Sequence, residues 1–150
     1  MDPTLPGKEV LISALLALIS AQLVKAFIDT VTHQRLNFRI MVQTGGMPSS
    51  HSAFMASMAT SCGLVEGFGS TQFAIALSLA LIVMYDAAGV RRAAGKMAGI
   101  LNKITEDFYM HYPALLPERL RELLGHTPIE VVVGALFGTA MACFVHSRLL

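Results

Sequence analysis

The chain has 150 residues, 54% of them hydrophobic and 14% charged, with a net charge of +1 and a mean hydropathy of +0.60. That length suits a single domain. The near-neutral charge argues against a nucleic-acid-binding protein, and the apolar excess is high for a soluble protein of average composition. Cys62 and Cys143 are too few for a disulfide framework and lack metal-ligand spacing, so both read as small apolar helix residues. The start of the chain lacks the pattern of a removable secretory signal, so its first apolar run is expected to remain as an anchor.

Taken in order, residues 1–9 form a short polar tail. The run from Val10 onward is long enough for a membrane helix over 9–28, since about 20 apolar residues span a bilayer core. Gln22, Lys25 and Asp29 fall on one face of that helix. Residues 30–44, with His33, Arg35 and Arg39, read as a polar loop. A second helix is predicted over 48–65, starting at Pro48. Its Ser52, Ala56, Ala59, Thr60 and Gly63 form a stripe of small residues suited to close helix contact. A glycine-containing turn leads to a third helix over 72–90.

Residues 91–124 then form an amphipathic polar segment. Within it, Ile100, Leu101, Ile104 and Phe108 recur at helical spacing. A turn is expected at 111–117 and a short helix at 118–124. The last helix is predicted over 128–145, where Gly134, Gly138 and Ala142 stand four apart in a second close-packing stripe. The expected fold is therefore all-α: an integral membrane bundle of four transmembrane helices with a longer loop between helices 3 and 4.

Positive charge sets the orientation. Lys25, Arg35 and Arg39 flank the first connection, and Arg91, Arg92, Lys96, Lys103, Arg119 and Arg121 lie in the third. Only Lys8 and Arg148 lie on the other side. The positive-inside rule puts both basic connections in the cytoplasm, or on the equivalent stromal side in an organelle. This topology delivers His51, His126, Asp86, Glu130, Lys25, Arg91, Arg92 and two helix starts to one membrane face.

Those residue types suit phosphate chemistry. Helix starts present unpaired N–H groups and hold anions, so Gly45-Gly46-Met47-Pro48-Ser49-Ser50-His51 reads as a phosphate-binding helix start. His126 and Glu130 are four apart on one helix face. A carboxylate accepting from one imidazole nitrogen fixes the tautomer and frees the other nitrogen as a nucleophile. His51 can then act as acid toward the leaving group and as base toward water. Lys25, Arg91, Arg92 and the groups around Ser49 and Ser50 can stabilise charge on the transferred phosphoryl oxygens, with Asp86 orienting a base. Zinc held by His51, His126 and Glu130 is a competing use of the same residues. The nearby bases favour an anion over a metal.

Pro48-Ser49-Ser50-His51 resembles the Pro-Ser-Gly-His motif of the type-2 phosphatidic acid phosphatase superfamily, which also includes vanadium-dependent haloperoxidases. His126-x-x-x-Glu130 resembles that superfamily's His-x-x-x-Asp motif. The strings GGMPSSHSA, MYDAAGVRRAAGK and ELLGHTPIEVVVGA together resemble its divergent branch, over about residues 9 to 145. The resemblance implies a membrane-embedded, metal-independent phosphatase with no cofactor, working through a phosphohistidine on a lipid phosphate. In that scheme His126 is the nucleophile, Glu130 its orienting acid and His51 the leaving-group acid. Ser49 and Ser50 would contact phosphate, and Lys25 would stand for the first-motif lysine. The chain departs from the pattern at Ser50, where the motif has glycine, and lacks an Arg-Pro after Lys25. Four spans are fewer than the superfamily's lipid phosphatases commonly have, so a homodimer is a further expectation. Two other readings use the same scaffold: a non-catalytic protein binding anionic headgroups or a partner, and vanadate-dependent haloperoxidase-like chemistry.

Overall fold

The computed structural model describes residues 5–34, 46–109, 119–120 and 125–149. Every regular element among them is a helix: α1 (Leu5–His33), α2 (Ser50–Glu66), α3 (Thr71–Ala88), α4 (Val90–Phe108) and α5 (Pro128–Leu149). The loop arginines Arg35, Arg39 and Arg121, the turn at 111–117 and the short helix at 118–124 lie outside the described residues, save for residues 119 and 120.

Three helical stretches are long and apolar enough to cross a membrane: Gly7–Thr32, the joined run Thr71–Phe108, and Pro128–Arg148. Their large side chains point outward. Leu11, Leu15, Ile19 and Phe27 on α1, Leu81 and Ile82 on α3, and Leu136 and Phe144 on α5 are all exposed. In water such a surface would aggregate; in hydrocarbon it is the stable arrangement.

The interior is built from small residues. Its buried positions are dominated by alanine and serine, and the largest side chains that are fully buried are all serines. α2 carries most of them: Ser50, Ser52, Ala53, Ala56, Ser57, Ala59, Ser61, Cys62 and Gly63 are all buried. This helix packs against α5, α1 and α3, and α1 also meets α5. Its 17 residues are fewer and more polar than those of its neighbours, so it does not qualify as a span by length and composition. It is the post around which the apolar helices stand.

Two contacts set how close that packing is. A methyl group at Gly138 would collide with the backbone of Ala53, and one at Gly134 with the carbonyl of Ser49. Backbone therefore lies on backbone along α2 and α5, where dispersion contacts are dense. A hydrogen bond between the hydroxyls of Thr60 and Thr139 crosses the same seam at 3.4 Å. At the far end of the bundle His146 Nδ1 lies 2.7 Å from Glu9 Oε1, joining α5 to the start of α1.

The element boundaries correct the sequence reading in three places. α1 starts at Leu5, inside the expected polar tail, and runs on to His33, through part of the expected loop, because Phe27, Ile28 and Val31 extend its apolar face. α2 begins at Ser50 rather than Pro48: Ser49 is the N-cap, so Pro48, which follows a cis peptide bond, lies outside the helix. The segment after α3 is a full helix from Val90. Only Gly89, with φ −105° and ψ −80°, separates the two, and α4 is otherwise rich in strong helix formers such as Ala, Arg, Lys and Met. The α2–α3 turn ends α2 at Gly67, with φ +91°, and caps α3 with Ser70, whose hydroxyl accepts from the Phe73 N–H at 3.2 Å.

If the α2–α5 seam sets the fold, enlarging it is costly while enlarging an open glycine is not. Gly138→Leu is expected to lower stability by about 1–3 kcal/mol or more, as overpacking does. Gly7→Ala, with nothing within 4 Å of an added methyl, is expected to leave stability unchanged or slightly raised. Unfolding titrations of both variants in mixed detergent micelles check this.

Candidate active site

The site begins at the start of α5, where Thr127-Pro128-Ile129-Glu130 closes a reciprocal cap. The Thr127 hydroxyl accepts from the Glu130 N–H at 3.3 Å, and Glu130 Oε2 accepts from the Thr127 N–H at 3.2 Å. Pro128 occupies the first helical position, where its missing N–H costs nothing. The same Oε2 lies 2.9 Å from His126 Nδ1. A carboxylate at that distance makes Nδ1 the protonated nitrogen and leaves Nε2 with a free lone pair. Nε2 is buried and has no hydrogen-bond partner, in a residue only 3% exposed.

Backbone contacts hold this corner. The His126 N–H donates to the Ala87 carbonyl at 2.9 Å, at the end of α3. Gly125, with φ +86°, sits on the first turn of α4: an added methyl would lie 2.5 Å from the Arg92 nitrogen. Only glycine meets both demands.

α2 delivers the second group. The Ser49 N–H donates to the Glu130 carbonyl at 3.2 Å, so the start of α2 rests on the first turn of α5. The Ser49 hydroxyl accepts from the Ser52 N–H at 3.3 Å and from the Ser52 hydroxyl at 2.9 Å. Ser49 is thus first a joint between two helices, with its main-chain donor already engaged. Ser50 is buried in the first turn and His51 is exposed beside it. With the Ser52 N–H taken by the cap, the Ser50 and His51 N–H groups of that turn have no intrahelical acceptors.

The charges converge unevenly. Arg91, His126 and Lys25 all lie within electrostatic reach of the His51 imidazole, and Glu130 lies within reach of Lys25. Lys25 is 3% exposed, and its aliphatic stem runs beneath Gly46, whose φ is +83°. Asp86 Oδ2 accepts from Arg91 Nε at 2.7 Å, fixing that guanidinium at the α3–α4 break. Arg92 is exposed and does not act on His51; the pair read together in the sequence divides its directions. Residues of all five helices or their ends therefore meet at one end of the bundle. Among the described residues no three His, Cys, Asp or Glu side chains gather closely enough to hold a metal ion, so the zinc set His51, His126 and Glu130 is not assembled.

A family model described as "Divergent PAP2 family" matches residues 7–141. The chain belongs to the divergent PAP2 family. An uncharacterized membrane protein of Bacillus subtilis (strain 168), YuiD, is 41% identical over 138 residues, covering 85% of this chain and 87% of that protein. No solved structure matches. The matched region of this divergent PAP2 protein takes in every residue of the cluster above, and the apolar helices agree with a membrane location.

Two contributors escaped the sequence reading. Thr127 was legible as the first residue of a Thr-x-x-Glu capping pattern before an apolar run. Gly125 carried only the general signal of glycine beside a helix end. Thr127→Ala is expected to cost about 1 kcal/mol of stability, the usual loss on removing a helix cap, read by detergent unfolding. Glu130→Gln is expected to release the fixed His126 tautomer, seen in ¹⁵N spectra of histidine-labelled protein as a mixture of Nδ1–H and Nε2–H forms.

Proposed function

We propose that this divergent PAP2 protein is a metal-independent phosphatase of the membrane, hydrolysing a lipid phosphate monoester at a cytoplasm-facing site. In this reading α2 is a fourth span, shielded from lipid by its neighbours, which compensates for its shortness and its serines. The observation that carries the reading is the His126–Glu130 pair: one imidazole nitrogen tied to a carboxylate, the other bare and turned inward.

The reaction follows from those roles. His126 Nε2 attacks phosphorus, the ester P–O bond breaks, and the departing lipid alkoxide takes a proton from His51. His51 then removes a proton from water, whose oxygen attacks the phosphohistidine. Inorganic phosphate leaves and His126 is restored. Lys25, Arg91 and the free N–H groups of the first turn of α2 stabilise the three equatorial oxygens. Ser50 lines the phosphate. Ser49 holds α2 against α5, and Asp86 holds Arg91. Arg92 serves at the entrance.

Because Nε2 is closed off in this structure, the cycle begins with the pocket opening to a headgroup. That closure favours one second reading, a headgroup-binding protein without turnover. The two separate in one assay. Purified protein in detergent is expected to release phosphate from phosphatidate, phosphatidylglycerophosphate or a prenyl phosphate in the presence of a chelator. His126→Ala is expected to reduce this at least about a thousandfold, and His51→Ala by roughly 10²–10⁴. An acid-labile ³²P label on the wild-type protein, absent from His126→Ala, identifies the intermediate. Lipid binding with no phosphate released from any of the three would favour the second reading.

A further inference from the structure

α4 is divided lengthwise into three strips. Gly95, Ala98 and Asn102 form the buried one. Asn102 clasps the chain at Leu120, donating to its carbonyl at 2.8 Å and accepting from its N–H at 2.9 Å. Met97, Leu101, Ile104 and Phe108 form a second strip, open to the outside: Ile104 is 58% and Phe108 78% exposed. Arg92, Lys96 and Lys103 form the third, all exposed. At about 100° per residue the three strips lie roughly 120° apart.

The acids do not cancel the basic strip. Among the described residues from Asp86 to Leu120, Asp86 is paired with Arg91 and Glu106 with Arg119, leaving Asp107 one turn beyond Lys103.

Length fixes where this helix lies. α3 has 18 residues, about 27 Å, just under the hydrocarbon core of about 30 Å and at the short end of helices that cross it. The joined run Thr71–Phe108 has 38 residues, about 57 Å, almost twice that thickness. The break at Gly89 therefore falls near the bilayer surface. α4 leaves from there with one side against its own chain, one apolar side and one basic side. That division is what a helix lying in the interface needs: apolar residues sunk among the acyl chains and cations level with the headgroups.

We infer that α4 is a surface-lying helix that binds the anionic headgroups of its own leaflet, concentrating them along Arg92, Lys96 and Lys103 toward the His51–His126 cluster at its first turn. The partner is the lipid surface itself, chosen by charge complementarity: an anionic headgroup layer draws each juxtamembrane cation independently of any turnover. Arg92, which does not act on His51, gains a role here as the strip's end nearest the His51–His126 cluster. The inference rests on the membrane location and the shape of α4, not on catalysis.

The test uses full-length protein, with Cys62 and Cys143 replaced by alanine, in vesicles of phosphatidylglycerol and phosphatidylcholine. Nitroxide labels go on Leu101→Cys and Lys103→Cys, both exposed and on different strips. The Leu101 label is expected to be relaxed by oxygen and shielded from a water-soluble nickel chelate, and the Lys103 label to be reached by the chelate. The triple variant Arg92→Gln, Lys96→Gln, Lys103→Gln is expected to lose several-fold of the excess phosphatidylglycerol over phosphatidylcholine that co-purifies with the protein. Equal chelate access to both labels would put α4 in free solvent and overturn the inference. A Leu101 label reached by neither agent and broadened by spin–spin coupling would assign the strip to a second copy of the chain, and overturn it too. An unchanged lipid ratio in the triple variant would remove the anionic selectivity. A protein that passes these tests yet releases no phosphate leaves this surface standing while the phosphatase reading falls.

Discussion

The arrangement depends on one contact, the approach of α2 to α5 at the Gly134 and Gly138 positions, where even a methyl group has no room. With the two backbones that close, the Ser49 N–H reaches the Glu130 carbonyl, and the first turns of two helices far apart in sequence become one corner. His51 and His126 are neighbours because of that seam. A larger residue at either glycine would part the helices along their whole length, since both are rigid rods. The chemistry at one end is set by packing in the middle.

Around this seam the polar groups sort by the work they do. Glu130 accepts from the Thr127 N–H and holds the His126 ring, so one carboxylate both starts a helix and fixes a tautomer. Asp86 does for Arg91 what Glu130 does for His126. Lys25 runs beneath Gly46, where the positive φ, not a lack of space, favours glycine. Gly125 and the His126 N–H tie the last connection to the α3–α4 break. His126 and Arg91 therefore each have a carboxylate fixing their place, the arrangement needed where charge must be met without rearrangement.

Much of this was legible in the residues, for identifiable reasons. Long apolar runs give membrane helices at once, and glycines four apart on α5 announce a close neighbour, though not which one. The alternation of helix directions was enough to bring Lys25, His51, Arg91 and His126 to one end. The sequence was misleading where tertiary contacts overrule local signals. Pro48 looked like a first-turn residue, yet Ser49 caps the helix behind it. The separate fates of Arg91 and Arg92 depend on 100° of helix rotation and on Asp86, which adjacency in sequence conceals. The count of apolar spans differs because α2 hides its serines among other helices, and hydropathy records composition rather than surroundings.

The alanine-and-serine interior has an unusual consequence for how the molecule tolerates change. In a water-soluble domain the interior is held by bulky side chains, and trimming them leaves holes. Here, Lys25, Asn102, His126 and two valines apart, the buried positions are near the lower limit of residue size already, so truncation elsewhere has little to remove and an alanine scan would pass almost silently through them. Variation is free on the oily exterior and tightly bounded from above within, so drift among relatives should leave the inner positions small while the outer ones exchange one bulky hydrocarbon for another.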